Sequence, residues 1–286
     1  MPDLGTVITA IVTPFDERLR VDEDAFVALM HHLAANGSDG FVVCGTTGEA
    51  STLTDEEHLG LVGLAVRERP EGVTIIAGAG SNDTAHAIAL TAAACELGVD
   101  AVLSVTPYYN RPSRRGILAH FAAVAAASSV PVVLYNIPSR TATDMPNDLL
   151  SQLAQIERID FVKQSNEANL ASVDGLRVYA GNDDLFARTL DMGEPGGILV
   201  ASHIVGPQMR RMVEEPDQRW AIDATLQDVY RTLFLTASPT CTKAALELLG
   251  HRVGGLRLPM VEADEAERDA VREMLVRQGL LGHVTA

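Results

Sequence analysis

Lysine occurs at two positions only, Lys163 and Lys243, although 22 residues of the chain are basic and the other twenty are arginines. Where guanidinium is the rule, an ammonium marks a position that needs something guanidinium lacks. Lys163 stands in Ile159-Asp160-Phe161-Val162-Lys163-Gln164, a β-branched and aromatic segment that reads as a buried strand. A permanent charge there costs on the order of several kcal/mol unless it is paired. An amine escapes that cost by releasing its proton, which a guanidinium does not do. The freed amine is a nucleophile able to form a Schiff base with a ketone. The competing explanation is a lysine whose stem packs on the sheet while its head reaches water.

Three further segments carry groups for acid–base work or anion binding. Gly45-Thr46-Thr47-Gly48-Glu49 combines backbone freedom with two hydroxyls and amide donors, which suit a carboxylate or a purely structural turn. Thr106-Pro107-Tyr108-Tyr109-Asn110-Arg111-Pro112 and Tyr135-Asn136-Ile137-Pro138-Ser139-Arg140-Thr141 hold three of the five tyrosines. One such tyrosine is ordinarily a packing group with a satisfied hydroxyl. Three of them beside a threonine hydroxyl suggest a proton relay. Arg140 offers a planar fork for a carboxylate, or is a surface arginine. His203 reads as a hydrogen-bonded structural histidine, Lys243 as structural, and Cys44 as a small core residue.

These groups need elements to hold them. Eight β-rich runs recur, at Val7–Phe15, Gly40–Gly45, Val73–Ala79, Ala101–Thr106, Val132–Ile137, Phe161–Gln164, Val178–Ala180 and Ile198–Ala201. Between them lie amphipathic helical segments, Asp22–Ala35, Thr54–Arg69, Asp83–Leu97 and Ser113–Ala127, with a capping box expected at Thr54 and Glu57. Alternating βα units with continuous apolar strands indicate a parallel sheet. An open nucleotide-binding sheet would have a glycine-rich turn after its first strand, whereas here Thr13-Pro14-Phe15 follows. The expected fold is therefore a (β/α)8 TIM barrel over residues 1–216. The strand signals then stop, and Ala221–Thr236, Thr240–Leu249 and Glu262–Gly279 read as an α-helical C-terminal extension over residues 217–286. In such a barrel the polar segments above fall at the C-terminal ends of the strands, where barrel enzymes keep their working residues.

Composition narrows the class of partner. A formal charge of −16 and a pI near 4.8 repel nucleic acid and anionic membrane surfaces. Three cysteines without metal-ligand spacing support neither a disulfide framework nor a structural zinc site, and point to the cytoplasm. Neither a signal peptide nor a membrane span is expected.

Taken together, the Gly45–Glu49, Thr106–Pro112 and Tyr135–Thr141 motifs, with Lys163 in the sixth strand, resemble the dihydrodipicolinate synthase (4-hydroxy-tetrahydrodipicolinate synthase) family, and the likeness runs from the first strand to Leu256-Arg257-Leu258-Pro259-Met260. The resemblance implies that Lys163 forms an imine with pyruvate, whose enamine adds to L-aspartate 4-semialdehyde. It further implies a proton relay of Thr46, Tyr109 and Tyr135, with Thr47 on the pyruvate carboxylate and Arg140 supporting the relay and binding the second carboxylate. Gly181 and the Ile198 carbonyl would complete the pocket. No metal or organic cofactor is implied. Tyr109 would reach a neighbouring subunit's site, so a homodimer or homotetramer is expected. The position after the lysine, commonly acidic in the synthases, is Gln164, which on that pattern bears on the choice of aldehyde. Related aldolases of N-acetylneuraminate and 2-keto-3-deoxy acids share the imine chemistry, but Arg140 fits a carboxylate better than their hydroxyls. A keto-acid sensor without turnover would not need the relay.

Overall fold

A computed structural model describes residues 2–282. Eight short runs of mostly apolar residues form strands: β1 Val7–Ala10, β2 Gly40–Val43, β3 Thr74–Gly78, β4 Ala101–Val105, β5 Val132–Asn136, β6 Ile159–Gln164, β7 Arg177–Ala180 and β8 Gly196–Leu199. Each pairs in parallel with the next, and β8 pairs with β1 to close the barrel. Alternation along each strand sorts the side chains into two layers. Ile8, Val42, Ile76, Leu103, Phe161 and Ile198 fill the interior, and Phe41, Val43, Ile75, Val102 and Val162 face the surrounding helices.

The helices are α1 Glu23–Ala35, α2 Asp55–Glu68, α3 Thr84–Glu96, α4 Arg114–Ala127, α5 Pro138–Thr141, α6 Asn147–Leu153, α7 Phe186–Asp191 and α8 Ser202–Glu214. Asp22, Thr54, Asp83 and Ser113 each cap the helix that follows, and the Thr54–Glu57 capping box is complete. A single 3-10 turn over Pro216–Gln218 separates α8 from the C-terminal helices α9 Arg219–Thr232, α10 Thr240–Leu248 and α11 Glu265–Arg277. Helix α9 packs on α8, and α11 packs on α9 and α10.

The barrel and the helical extension agree with expectation, while several boundaries do not. The expected first strand over Val7–Phe15 ends at Ala10, because Phe15 turns away to bridge Val21 and to donate its amide to Val253 O. The last strand lies two residues earlier than expected, since Gly196 and Gly197 supply its pairing. Helix α8 escaped the sequence reading because Pro207 sits inside it and Val205 breaks its geometry.

The seam that closes the barrel depends on Gly196. Its φ is +146°, and an added Cβ would lie 2.0 Å from Thr6 O, a backbone atom with nowhere to move. Gly196→Ala is expected to cost more than about 3 kcal/mol, against about 1 kcal/mol for Gly193→Ala, whose Cβ would meet only open space. Urea unfolding of the two variants measures the difference, and equal midpoints would contradict it.

Candidate active site

The strand register places Tyr135 of β5 opposite Lys163 of β6. Both point into the barrel, and Lys163 Nζ lies 4.3 Å from the centre of the Tyr135 ring. Lys163 is 5% exposed. Among the described residues it enters no hydrogen bond or ion pair, whereas Lys243, equally buried, meets Glu49 Oε1 at 2.8 Å and donates to Gly255 O at 2.7 Å. The two lysines thus lie in different surroundings: Lys243 is paired with a carboxylate, and Lys163 lies on a π-surface. Tyr135 is held from behind, because its carbonyl accepts the Thr106 amide at 3.0 Å and the Thr106 hydroxyl at 2.9 Å.

Tyr135, but not Lys163, is among the residues that wall a cavity of about 390 Å³, together with Thr46, Tyr108 and Arg140. Thr46 is exposed at its rim and Thr47 is buried beside it. Arg140 sits on α5, where Pro138 starts the turn and Ala142, in the left-handed region, ends it. Its guanidinium is exposed and, among the described residues, has no partner. The loop that carries it is anchored underneath. Asn136 accepts the Met145 amide at 3.0 Å and donates to Asp144 at 2.9 Å, while Asn166 and Asn169 donate to the same carboxylate. Burial raises the Asp144 pKa, but these amides win and hold it below the ordinary carboxylate value.

Gln164 belongs to this anchor. It follows Lys163 and so faces the opposite side of the sheet, where its Oε1 accepts from Asn136 Nδ2 at 3.0 Å and from the Asn166 amide at 2.9 Å. Its side chain therefore does not border Lys163, and the expectation that it bears directly on the aldehyde is corrected: it acts beneath the loop. Gly181 donates its amide to Gln164 O at 2.8 Å, and Ile198 lies fully buried opposite Ile8 at the seam.

Tyr109 stands apart. It is 90% exposed with φ +72°, and Tyr108, not Tyr109, walls the cavity of its own chain. The hydroxyls expected to form a relay are thus not assembled by one chain. At the far wall of the cavity, His86 Nε2 pairs with Asp55 Oδ1 at 3.0 Å. His203 is satisfied as expected: its ring accepts the Val12 amide and donates to Val200 O, and burial pushes its pKa down to about 4. Cys44 is buried, and burial alone pushes its thiol pKa up. Among the described residues no group of three His, Cys, Asp or Glu side chains is arranged to hold a metal ion.

A buried, unpaired lysine on a tyrosine face at the C-terminal end of a closed barrel is the frame in which the relatives can be weighed. The family model described as "Dihydrodipicolinate synthetase family" matches residues 3–278. This chain belongs to that family. It is 41% identical over 291 residues to the 4-hydroxy-tetrahydrodipicolinate synthase of Heliobacterium modesticaldum, covering 97% of each chain. Among solved structures it resembles dihydrodipicolinate synthase from Bacillus anthracis, with a TM-score of 0.92, 38% identity and coverage of 96% of this chain and 99% of the other. It also resembles the dihydrodipicolinate synthase from Acinetobacter baumannii complexed with pyruvate, with a TM-score of 0.93, 34% identity and coverage of 97% and 100%.

Within this family frame the structure adds a residue that the sequence did not single out. Asp183, buried just past β7, accepts the Val200 amide at 3.0 Å and the Ala201 amide at 2.9 Å through one oxygen, and so ties down the chain that leaves β8. Burial pushes its pKa up to about 6, against the pull of those two amides and of the Lys163 charge. An unfolded aspartate titrates near about 3.9. Between about pH 4 and pH 6 the folded chain therefore holds a proton that the unfolded chain has lost, and stability falls as pH rises through that window. Asp183→Asn keeps an oxygen for both amides and removes the ionisation. Its stability relative to the parent is expected to rise from pH 4 to pH 7 by at most about 3 kcal/mol. Denaturant titrations at the two pH values measure it, and a difference that does not change with pH would contradict the burial of a titrating Asp183.

Proposed function

We propose that this protein is a 4-hydroxy-tetrahydrodipicolinate synthase, condensing pyruvate with L-aspartate 4-semialdehyde through a Schiff base on Lys163. The observation that carries this is the buried amine of Lys163, unpaired among the described residues and lying on the Tyr135 ring. Its Nζ attacks the pyruvate ketone, and water leaves as the imine forms. A proton lost from the pyruvate methyl gives the enamine, whose carbon adds to the aldehyde. The acceptor's own amine then displaces Lys163 from the imine carbon, closing the ring and freeing the enzyme.

In this reading Tyr135 gives and takes protons at the imine, and Thr46 with a partner subunit's tyrosine continues the relay to solvent. Thr47 and its neighbouring amides hold the pyruvate carboxylate. Arg140, whose guanidinium is uncommitted at the rim, takes the carboxylate of the semialdehyde. The Gly181 backbone and the Ile198 carbonyl complete the wall. The 90% exposure of Tyr109 supports a homodimer or homotetramer in which it enters the neighbour's cavity. We also place the enzyme in the cytoplasm and assign catalysis to a barrel of residues 1–216, with 217–286 as a supporting helical part; Met1 and residues 283–286 lie outside the described residues. Among the described residues no helix is long and apolar enough to cross a membrane.

Two measurements test this reading. Purified protein given pyruvate with L-aspartate 4-semialdehyde should form the cyclic product, and pyruvate with N-acetylmannosamine should not react. The reverse preference would replace the synthase with a sugar-acid aldolase. Mixing inactive Tyr109→Phe chains with inactive Lys163→Ala chains should restore up to about a quarter of the activity, because at one to one half of the exchanged dimers are mixed and each of these has one of its two sites built from two intact contributions. No recovery after proven subunit exchange would remove Tyr109 from the site.

A further inference from the structure

The Gly45–Glu49 turn is held in shape by a residue from the helical extension. Cys44, just before the turn, and Glu49, at its end, have φ of +55°, in the left-handed region. Such backbone is costly and persists only where the surroundings over-determine it. Inside the turn, the Glu49 amide donates to Thr46 O at 3.1 Å and the Ala50 amide to Gly45 O at 3.3 Å. Below it, the Thr13 hydroxyl donates to Gly48 O at 2.7 Å.

The remaining holds come from far along the chain. Lys243 on α10 reaches Glu49, each side chain 2% exposed, in a 2.8 Å ion-pair contact that is off-axis for a hydrogen bond. The other Glu49 oxygen accepts the Arg257 amide at 3.1 Å. Arg257 binds Glu57 with both arms at 2.6 and 2.7 Å and donates to Thr52 O at 2.8 Å. Lys243 Nζ and the Arg257 guanidinium lie 4.3 and 4.6 Å from the centre of the same Phe15 ring. A buried lysine–carboxylate pair is a poor source of stability, because desolvation offsets most of the attraction. Its value lies in geometry: a charged pair in a dry interior has one acceptable arrangement, and this one ends three residues from Thr46.

We propose that Glu49 and Lys243 are positioning residues for the keto-acid site: the helical extension, through this pair, sets the conformation of the Thr46–Thr47 turn and with it the affinity for the pyruvate carboxylate. The inference rests on the synthase reading above. Neither residue touches substrate, and both act through the turn. The effect is expected above all in the KM for pyruvate, since Thr47 and its neighbouring amides bind that carboxylate alike in the ground state and the transition state, with any loss of kcat arising through Thr46, and not in the KM for the aldehyde.

The test is the double variant Glu49→Gln/Lys243→Met, which keeps an acceptor for the Arg257 amide and the volume of the lysine stem while removing both charges. The folded variant should show a thermal midpoint close to the parent and a KM for pyruvate raised about tenfold or more, with the aldehyde KM little changed. A purely structural pair would instead lower the thermal midpoint or the active fraction and leave the pyruvate KM where it was, which would overturn the proposal. If the double variant does not fold, Lys243→Arg alone keeps both charges while changing the geometry of the pair, and the same two outcomes decide. Arg268→Ala, which breaks an exposed pair with Glu247 on the same α10 helix, serves as the control and should leave the pyruvate KM unchanged. A parent protein that does not turn pyruvate over would overturn the synthase reading and this inference together; an active parent with an unmoved KM in the variant overturns this inference alone.

Discussion

An ammonium taken out of water is costly unless other groups compensate it, and this protein buries its two lysines in different surroundings. Lys243 meets Glu49 and the Gly255 carbonyl. Lys163, among the described residues, enters no hydrogen bond or ion pair and lies on the face of Tyr135. Everything else that bears on the chemistry follows from keeping the second lysine solitary. A closed eight-stranded barrel provides a dry interior, its register sets Tyr135 against Lys163, and the strand-end loops bring hydroxyls and a guanidinium to the opening.

The supports behind those loops share a physical logic. Each working segment is fixed from the side away from the cavity, by groups that never face it. Asn136 and Gln164 lie under the Arg140 loop, Asp183 clasps the chain that leaves β8, and Lys243 with Arg257 holds the threonine turn. A loop held in this way keeps its shape without side chains that compete for substrate, which is what precise placement of a carboxylate site requires. Tyr109 is the exception. It is 90% exposed in the single chain, and takes a role only in the assembly proposed above.

Much of this was legible in the sequence because the signals were local. The βα alternation, the capping box at Thr54 and the isolated lysine in a β-rich run each declare themselves within a few residues. What escaped was long-range or locally contradictory. Nothing near Glu49 announces that its partner is Lys243 on α10, and Lys243 read correctly as structural without its partner being visible. Helix α8 was hidden by Pro207, and the end of β1 by a β-rich sequence that turns at Phe15 to serve the C-terminal segment. Gln164 looked like a substrate-side residue because it follows Lys163, yet the two-residue period of a strand places the neighbour of an inward residue outside.

The central claim is that the unpaired lysine, and not the paired one, carries the chemistry. Treating the intact protein with pyruvate and borohydride and then mapping its peptides tests it most directly, because reduction fixes any imine where it formed. One reduced pyruvyl group on the peptide that contains Lys163, none on that containing Lys243, and no label in Lys163→Arg is the expected result. Label on Lys243, or none on the wild-type protein, would contradict it.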